Sequence, residues 1–164
     1  MTVPVPTSRP VTAPQVVRKS ITVRAGRERA FTVFTEKFFT WWPKSHHIGA
    51  ADLADAVIEP RVGGRWYERG TDGTECDWGR VLTYDAPERI VLSWHLQGDW
   101  SYHPDPTKAS EIEVLFIAET DDRTRVELTH RHIERHDAPE QVRTGVDSEG
   151  GWGGILAVYG KAVA

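Results

Sequence analysis

Five short runs between residues 65 and 134 alternate apolar and polar side chains, and turn signals such as Asp72-Gly73 and Asp121-Asp122 lie between them. Alternation with a period of two is typical of strands that bury one face. Strands that follow one another through short turns pair antiparallel. The chain therefore predicts an antiparallel meander, with strands over 65–69, 75–84, 89–97, 111–119 and 124–134.

The apolar members of these runs indicate which face of the meander is buried. Because alternate residues point to the same side of a strand, His130 shares its face with Val126 and Leu128. The other members of this predicted apolar face are Ile90, Leu92, Trp94, Leu96, Ile112, Val114 and Phe116.

The remaining elements frame the meander. Residues 15–24 alternate like a first strand, and residues 27–39 space their aromatic side chains like a helix that Pro43 closes. A further strand is expected near 57–60. Close to the C-terminus, an apolar stripe predicts a long helix that begins among the glycines of 150–154 and covers the sheet. The stripe consists of Trp152, Ile155, Leu156, Tyr159 and Val163.

Composition limits the classes of function. The chain has 164 residues, enough for one domain with a substantial core, and four prolines in residues 1–14 predict a flexible arm before a domain over 15–164. The net charge of −4 argues against nucleic acid as a partner. No apolar run approaches the roughly 18 residues of a membrane span. A single cysteine, Cys76, and the lack of a signal-like apolar start predict a cytoplasmic protein without disulfides.

Several motifs follow this framework in order: PRVGGRW at 60–66, GRV at 79–81, PERIVLSW at 87–94, TRVELTH at 124–130 and GW at 151–152. With the order of elements, they resemble the START-like (SRPBCC) superfamily over residues 15–163. Within it they are similar to the branch named after the C-terminal domain of activators of the 90-kilodalton heat-shock protein ATPase. The resemblance implies an α+β helix-grip (Bet v-like) fold. In that fold a curved antiparallel sheet packs around a long C-terminal helix, and two short helices follow the first strand.

The resemblance also implies a function. The first expectation is that a monomer or homodimer binds a hydrophobic or aromatic small molecule in an interior groove, with no catalysis or only weak catalysis and without a cofactor. Two alternatives stay open. One is a polyketide cyclase- or dehydratase-like enzyme that transfers a proton between His130 and Glu68. The other is a co-chaperone-like activator, against which we weigh the expected lack of the N-terminal domain of the eukaryotic activators.

The ligand-binding residues are expected on the buried faces of the strands and the C-terminal helix. Alternation places Glu68 on the side of Trp66, where a carboxylate in an apolar groove would be a candidate acid or base. An exposed or salt-bridged edge residue is the favoured alternative for Glu68. The predicted ligand-binding residues are Trp66, Glu68, Trp78, Trp94, Phe116, His130, Trp152 and Leu156.

The histidines allow several interpretations. His130 either orients a ligand or is a hydrogen-bonded core residue, and His132 follows it on the same side. Together with His136 they could chelate zinc, but no carboxylate or cysteine completes the set at a suitable spacing, so no metal is expected. His46 and His47 are expected in a solvated loop.

Overall fold

The computed structural model describes residues 16–164 and shows a curved sheet of seven antiparallel strands. The strands are β1 (Val17–Val23), β2 (Leu53–Ile58), β3 (Arg65–Gly70), β4 (Glu75–Asp85), β5 (Arg89–Trp94), β6 (Ser110–Thr120) and β7 (Arg123–Arg131). Their order across the sheet is β1-β7-β6-β5-β4-β3-β2. The sheet is therefore the predicted meander, with the first strand added beside the last. The predicted arm over 1–14 lies outside the described residues.

Helices lie before and after the meander. The α-helices are α1 (Arg27–Thr35), α2 (Phe38–Trp41), α3 (Pro139–Val146) and α4 (Trp152–Val163), and short 3-10 helices occupy Pro106–Lys108 and Ile133–Arg135. The helix expected over 27–39 is divided in two, and the indole N–H of Trp41 donates back to the carbonyl of Val33 at 2.9 Å. The prediction of a helix-grip fold is confirmed. No helix among residues 16–164 is long and apolar enough to cross a membrane.

The concave face of the sheet holds the core. Phe34 of α1 packs against Phe116 of β6 and Tyr159 of α4, with ring centroids 5.7 and 5.2 Å apart. The Tyr159 hydroxyl donates to the carbonyl of Ala30 at 2.6 Å, which fixes α4 on α1. Each of these rings is almost fully buried. Such burial is the main driving force for holding the helices in the sheet.

Strands β4 and β5 approach each other closely at Gly79. The first half of β4 pairs with β3 and its second half with β5. At the crossing point a side chain on Gly79 would lie 1.7 Å from the carbonyl oxygen of Ser93. The Ser93 hydroxyl accepts the N–H of Arg80 at 2.8 Å. Glycine is needed here because only a residue without a Cβ allows the strands to meet so closely.

Three strand boundaries differ from the prediction. The strand expected near 57–60 is β2, which begins earlier, at Leu53. The run over 89–97 ends at Trp94, because the chain then turns and Gln97 pairs with the loop at Ser101. The run over 124–134 ends at Arg131, because His132 takes a left-handed conformation with φ of 61°. His132 therefore starts a turn and does not continue the face of His130.

Candidate functional site

A cavity of about 370 Å³ opens at one end of the sheet. Its walls come from the chain after α2, from β4 and β5, and from the segment that joins α3 to α4. Five indole rings contribute to the lining: Trp42, Trp78, Trp94, Trp100 and Trp152. The other lining residues are Ser45, His46, His47, Ile48, Leu96, Gly145, Val146, Ser148, Gly150, Gly151 and Ile155. The cavity is therefore aromatic, with a few polar groups at one side.

Three of the predicted ligand-binding residues line this cavity, namely Trp78, Trp94 and Trp152. The strand alternation brings Trp94 to the concave face, and the first turn of α4 places Trp152 opposite, with ring centroids 5.7 Å apart. Trp78 closes the inner wall against Trp42 at 5.2 Å.

Three other predicted residues are buried but do not line the cavity. Trp66 packs beneath Trp78 and Trp94, with ring centroids 5.4 and 5.6 Å away. Phe116 is covered by Phe31 of α1 at 5.1 Å, and Leu156 is 2% exposed in the core. Alternation identifies the buried face correctly, but it does not distinguish the part of that face that helices cover from the part that borders a cavity.

Glu68 is fully buried, which corrects the favoured expectation of an exposed or salt-bridged residue. One carboxylate oxygen accepts the N–H of Ile48 at 2.6 Å and the indole N–H of Trp78 at 2.9 Å. The other accepts the N–H of Gly49 at 3.1 Å. These three donors compensate the buried charge and tie the loop after α2 to the sheet. Glu68 therefore positions the cavity wall and does not line the cavity.

His130 is also fully buried, and Trp152 separates it from the cavity. The indole N–H of Trp152 donates to His130 Nδ1 at 3.0 Å, so the ring proton of the neutral imidazole is on Nε2. That nitrogen donates to Ser110 Oγ at 2.6 Å, and the Ser110 hydroxyl in turn donates to His136 Nε2 at 2.8 Å. Burial lowers the pKa of His130 to about 3 and the pKa of His136 to about 4. Both rings are therefore neutral at physiological pH. Every hydrogen bond of the chain is donated in the same direction, from Trp152 through His130 and Ser110 to His136.

His46 and His47 are only half exposed, which corrects the expectation of a solvated loop. His46 Nε2 donates to the carbonyl of Gly150 at 2.8 Å, and its Nδ1 lies 3.1 Å from the Ser45 hydroxyl. His47 Nδ1 donates to the carbonyl of Gly49 at 2.9 Å. In both cases the carbonyl can only accept, so the ring nitrogen beside it carries the proton.

Trp100 forms the outer wall of the cavity. It is 48% exposed and has a φ of 67°, a left-handed conformation that is uncommon for a large residue. A side chain on Gly145 would lie 3.1 Å from its ring, so the glycine provides the surface on which the indole rests. Sequence patterns did not identify Trp42, His46, His47 or Trp100. The only signal was their position in polar segments next to aromatic residues.

Within residues 16–164, no group of His, Cys, Asp and Glu side chains is arranged to hold a metal ion. His130 and His136 are joined through Ser110, and His132 Nδ1 lies 3.5 Å from a carboxylate oxygen of Glu134 on the surface. These three histidines do not converge on one point. The arrangement gives each ring a structural partner.

The sheet, the helix it surrounds and the aromatic cavity define a helix-grip protein of the SRPBCC class, a fold family known for binding small hydrophobic ligands. Within this class, the chain belongs to the family described as Activator of Hsp90 ATPase homolog 1-like protein, whose profile matches residues 24–158. The resemblance stated from the sequence motifs is thereby confirmed.

Solved structures include two similar proteins with more specific descriptions. The anthrahydroquino-γ-pyrone synthase Txn09, complexed with SUM, is 41% identical over 91% of this chain and 96% of its own, with a TM-score of 0.65. CalC, a self-sacrificing resistance protein from Micromonospora echinospora, is 32% identical over 90% of this chain and 93% of its own, with a TM-score of 0.66. Mll3558 from Rhizobium loti, at 20% identity, 92% and 97% coverage and a TM-score of 0.58, shows the fold alone. No curated protein sequence matches the chain.

Proposed function

We propose that the protein binds a planar polycyclic aromatic molecule of the aromatic polyketide type in the cavity. The observation that carries this proposal is the lining, in which five indole rings surround about 370 Å³. Small-molecule sites typically occupy about 300–1,000 Å³ and combine apolar walls with few polar groups. Flat aromatic rings gain roughly 0.5–1.5 kcal/mol per favourable ring contact beyond their area burial. A flat aromatic ligand makes the best use of such walls.

An unsatisfied donor supports a ligand that carries oxygen. The indole N–H of Trp94 is buried and has no acceptor among the described residues. Buried polar groups without partners are rare in native proteins. Because Trp94 also lines the cavity, we propose that a carbonyl oxygen of the ligand accepts this N–H.

The similar proteins support the same chemical class. The name of Txn09 describes a product built from an anthrahydroquinone and a γ-pyrone, which are fused rings with several oxygen atoms. Identity of 41% over nearly the whole of both chains makes a related ligand a reasonable proposal for this protein.

Tryptophan fluorescence during titration with 2-methoxyanthraquinone tests the proposal. We expect quenching, and affinity on the order of tenfold higher than for androstane-3,17-dione, a puckered molecule of similar size that cannot stack. Trp100→Ala should weaken binding of the anthraquinone by roughly 2- to 10-fold, because one stacking surface is lost. Val62→Ala is the control, since Val62 is 66% exposed and lies outside the cavity. Equal affinity for both molecules, or no quenching, would contradict the proposal.

A second candidate is a ring-closing enzyme, and the observation that favours it is the 41% identity to a protein described as a synthase. A protein that only binds returns its ligand chemically unchanged. Incubation with an anthrahydroquinone that carries an unclosed side chain, followed by chromatography and mass spectrometry, separates the two candidates. A pyrone product that forms only with protein present would establish the enzyme.

A further inference from the structure

We infer that His47 is the proton acceptor of the cavity, and that it recognises and deprotonates an acidic aromatic hydroxyl group of the ligand. This inference rests on the proposed function, because it names a chemical group that the aromatic ligand must carry. It gives a function to the polar side of the cavity, which stacking on the indole rings does not explain.

The tautomer of His47 is set by the carbonyl of Gly49. Its Nδ1 lies 2.9 Å from the carbonyl oxygen of Gly49, so this nitrogen carries the proton. The lone pair of the neutral ring is therefore on Nε2. That nitrogen has no hydrogen-bond partner among residues 16–164, and the residue lines the cavity. A ring nitrogen held in this way can accept a proton from a ligand without first losing another partner.

The loop that orients the His47 imidazole is itself held in place by Glu68. The N–H groups of Ile48 and Gly49 are held by the buried carboxylate of Glu68 at 2.6 and 3.1 Å. A Cβ at position 49 would lie 3.1 Å from the carboxylate oxygen, a tight contact that glycine avoids. The carbonyl that orients His47 thus belongs to a loop fixed by a carboxylate. An acceptor held by a rigid neighbour is typical of a positioned general base.

His46 and His130 are excluded as proton acceptors because their ring nitrogens are occupied. His46 uses both ring nitrogens, one on the Gly150 carbonyl and one on the Ser45 hydroxyl. His130 uses both of its nitrogens as well and lies behind Trp152. Of the two histidines that line the cavity, only His47 combines a fixed tautomer with a ring nitrogen that has no partner among the described residues.

The proposed reaction is a proton transfer from the ligand hydroxyl group to His47. The ligand O–H bond breaks, its electron pair stays on oxygen, and the proton forms a bond with His47 Nε2. The products are a phenolate and an imidazolium whose Nδ1–H still donates to the Gly49 carbonyl. A deprotonated oxygen is a stronger nucleophile, as a ring-closing reaction through that oxygen would require.

The test uses 2-hydroxyanthraquinone, whose phenolate absorbs at longer wavelength than the phenol, and 2-methoxyanthraquinone, which has no proton to give. At a pH where the free hydroxyl probe is protonated, we expect the wild-type protein to produce the phenolate band on binding. His47→Gln should abolish the band and weaken binding of the hydroxyl probe on the order of tenfold. Binding of the methoxy probe should change by less than about twofold. His132→Gln, outside the cavity, is the control and should behave as wild type.

The outcomes separate this inference from the proposed function. If both probes bind but His47→Gln keeps the band, or if His46→Gln removes it instead, His47 is not the acceptor while aromatic binding stands. If neither probe binds to the wild-type protein, the proposed function fails and the inference fails with it. A melting temperature of His47→Gln near wild type would show that any loss of the band is chemical, as expected for a half-exposed residue.

Discussion

The indole N–H of Trp152 donates to His130 Nδ1 at 3.0 Å, and this bond joins the first turn of α4 to the end of β7. Trp152 is 3% exposed and His130 is fully buried, so neither group can exchange its partner for water. The bond also sets the proton position on His130, and through it the direction of the hydrogen bonds to Ser110 and His136. One wall of the cavity is therefore held in place by a polar chain inside the core.

Replacement of Trp152 tests this wall. Trp152→Ala is expected to lower the free energy of unfolding by roughly 3–5 kcal/mol, as truncation of a buried large aromatic usually does. Trp152→Phe keeps an aromatic ring but leaves His130 Nδ1 without a donor. The missing hydrogen bond should account for roughly 1–3 kcal/mol of the decrease in the free energy of unfolding of this variant. Urea denaturation followed by circular dichroism measures both. Trp100→Ala, at a half-exposed position, should stay within about 1 kcal/mol of wild type.

The partner residue should behave as a structural group. His130→Ala removes a buried ring and leaves the Trp152 and Ser110 groups without their partner, so a loss of roughly 2–4 kcal/mol in the free energy of unfolding is expected. If the variant instead kept wild-type stability and lost affinity for 2-methoxyanthraquinone, His130 would have to be assigned to the ligand. His132→Ala, on the surface, serves as the matched control.

Acid should destabilise the protein through the two buried histidines. Their folded-state pKa values, about 3 for His130 and about 4 for His136, lie below the ordinary value of 6.5 because burial disfavours the charged ring. The unfolded chain therefore binds more protons between about pH 6.5 and pH 4, and stability falls as the pH is lowered through that window. Each group contributes a slope of up to about 1.4 kcal/mol per pH unit. The urea concentration at half-unfolding, measured at pH 7, 6 and 5, should decrease less steeply with falling pH for His136→Asn than for wild type.

The Glu68 carboxylate should stabilise the loop that contains His47, because it accepts the N–H groups of Ile48 and Gly49. In Glu68→Gln one acceptor oxygen becomes an NH₂ group that faces backbone or indole donors, so a loss of about 3 kcal/mol in unfolding free energy is expected. Glu113→Gln is a useful comparison, because Glu113 is a partly exposed member of surface ion pairs with Arg89 and Arg131. It should lose less than about 1 kcal/mol. Similar losses in the two variants would show that the buried carboxylate has no special role.

Two adjacent glycines in α4 should respond in opposite directions to the same substitution. A Cβ on Gly153 meets only the Lys19 side chain at 4.0 Å, so Gly153→Ala should stabilise by about 0.5–1 kcal/mol through helix propensity. A Cβ on Gly154 would lie 2.6 Å from the backbone oxygen of Glu149, so Gly154→Ala should destabilise. Melting temperatures of the two variants provide the measurement, and equal shifts would contradict the packing described for this helix.

The fold was predictable from sequence because its signals are local. Alternation over 111–119 and the helical stripe from Trp152 to Val163 each arise from a single periodic element that buries one face. Breaks in that pattern were less predictable. The end of β7 depends on the left-handed conformation of His132, which no alternation indicates.

The site was only partly predictable, because its polar side is assembled from distant segments. Glu68 is buried only because the amides of Ile48 and Gly49, about twenty residues earlier, fold over it. The orientation of His47 depends on the same loop, and the position of Trp100 depends on Gly145. Such contacts are tertiary, so neither periodicity nor spacing along the chain contains them.

The pairing of β1 with β7 has a consequence for biosynthesis. Val17 lies opposite His130, so among the strands of residues 16–164 β1 has no neighbour in the sheet until β7 is made. Helix α4, which packs against β1, emerges later still. Contacts between such distant parts of a chain close large loops and slow folding. We therefore expect the nascent chain to keep β1 unpaired throughout most of its translation, and premature termination before β7 to yield a product that cannot complete the sheet.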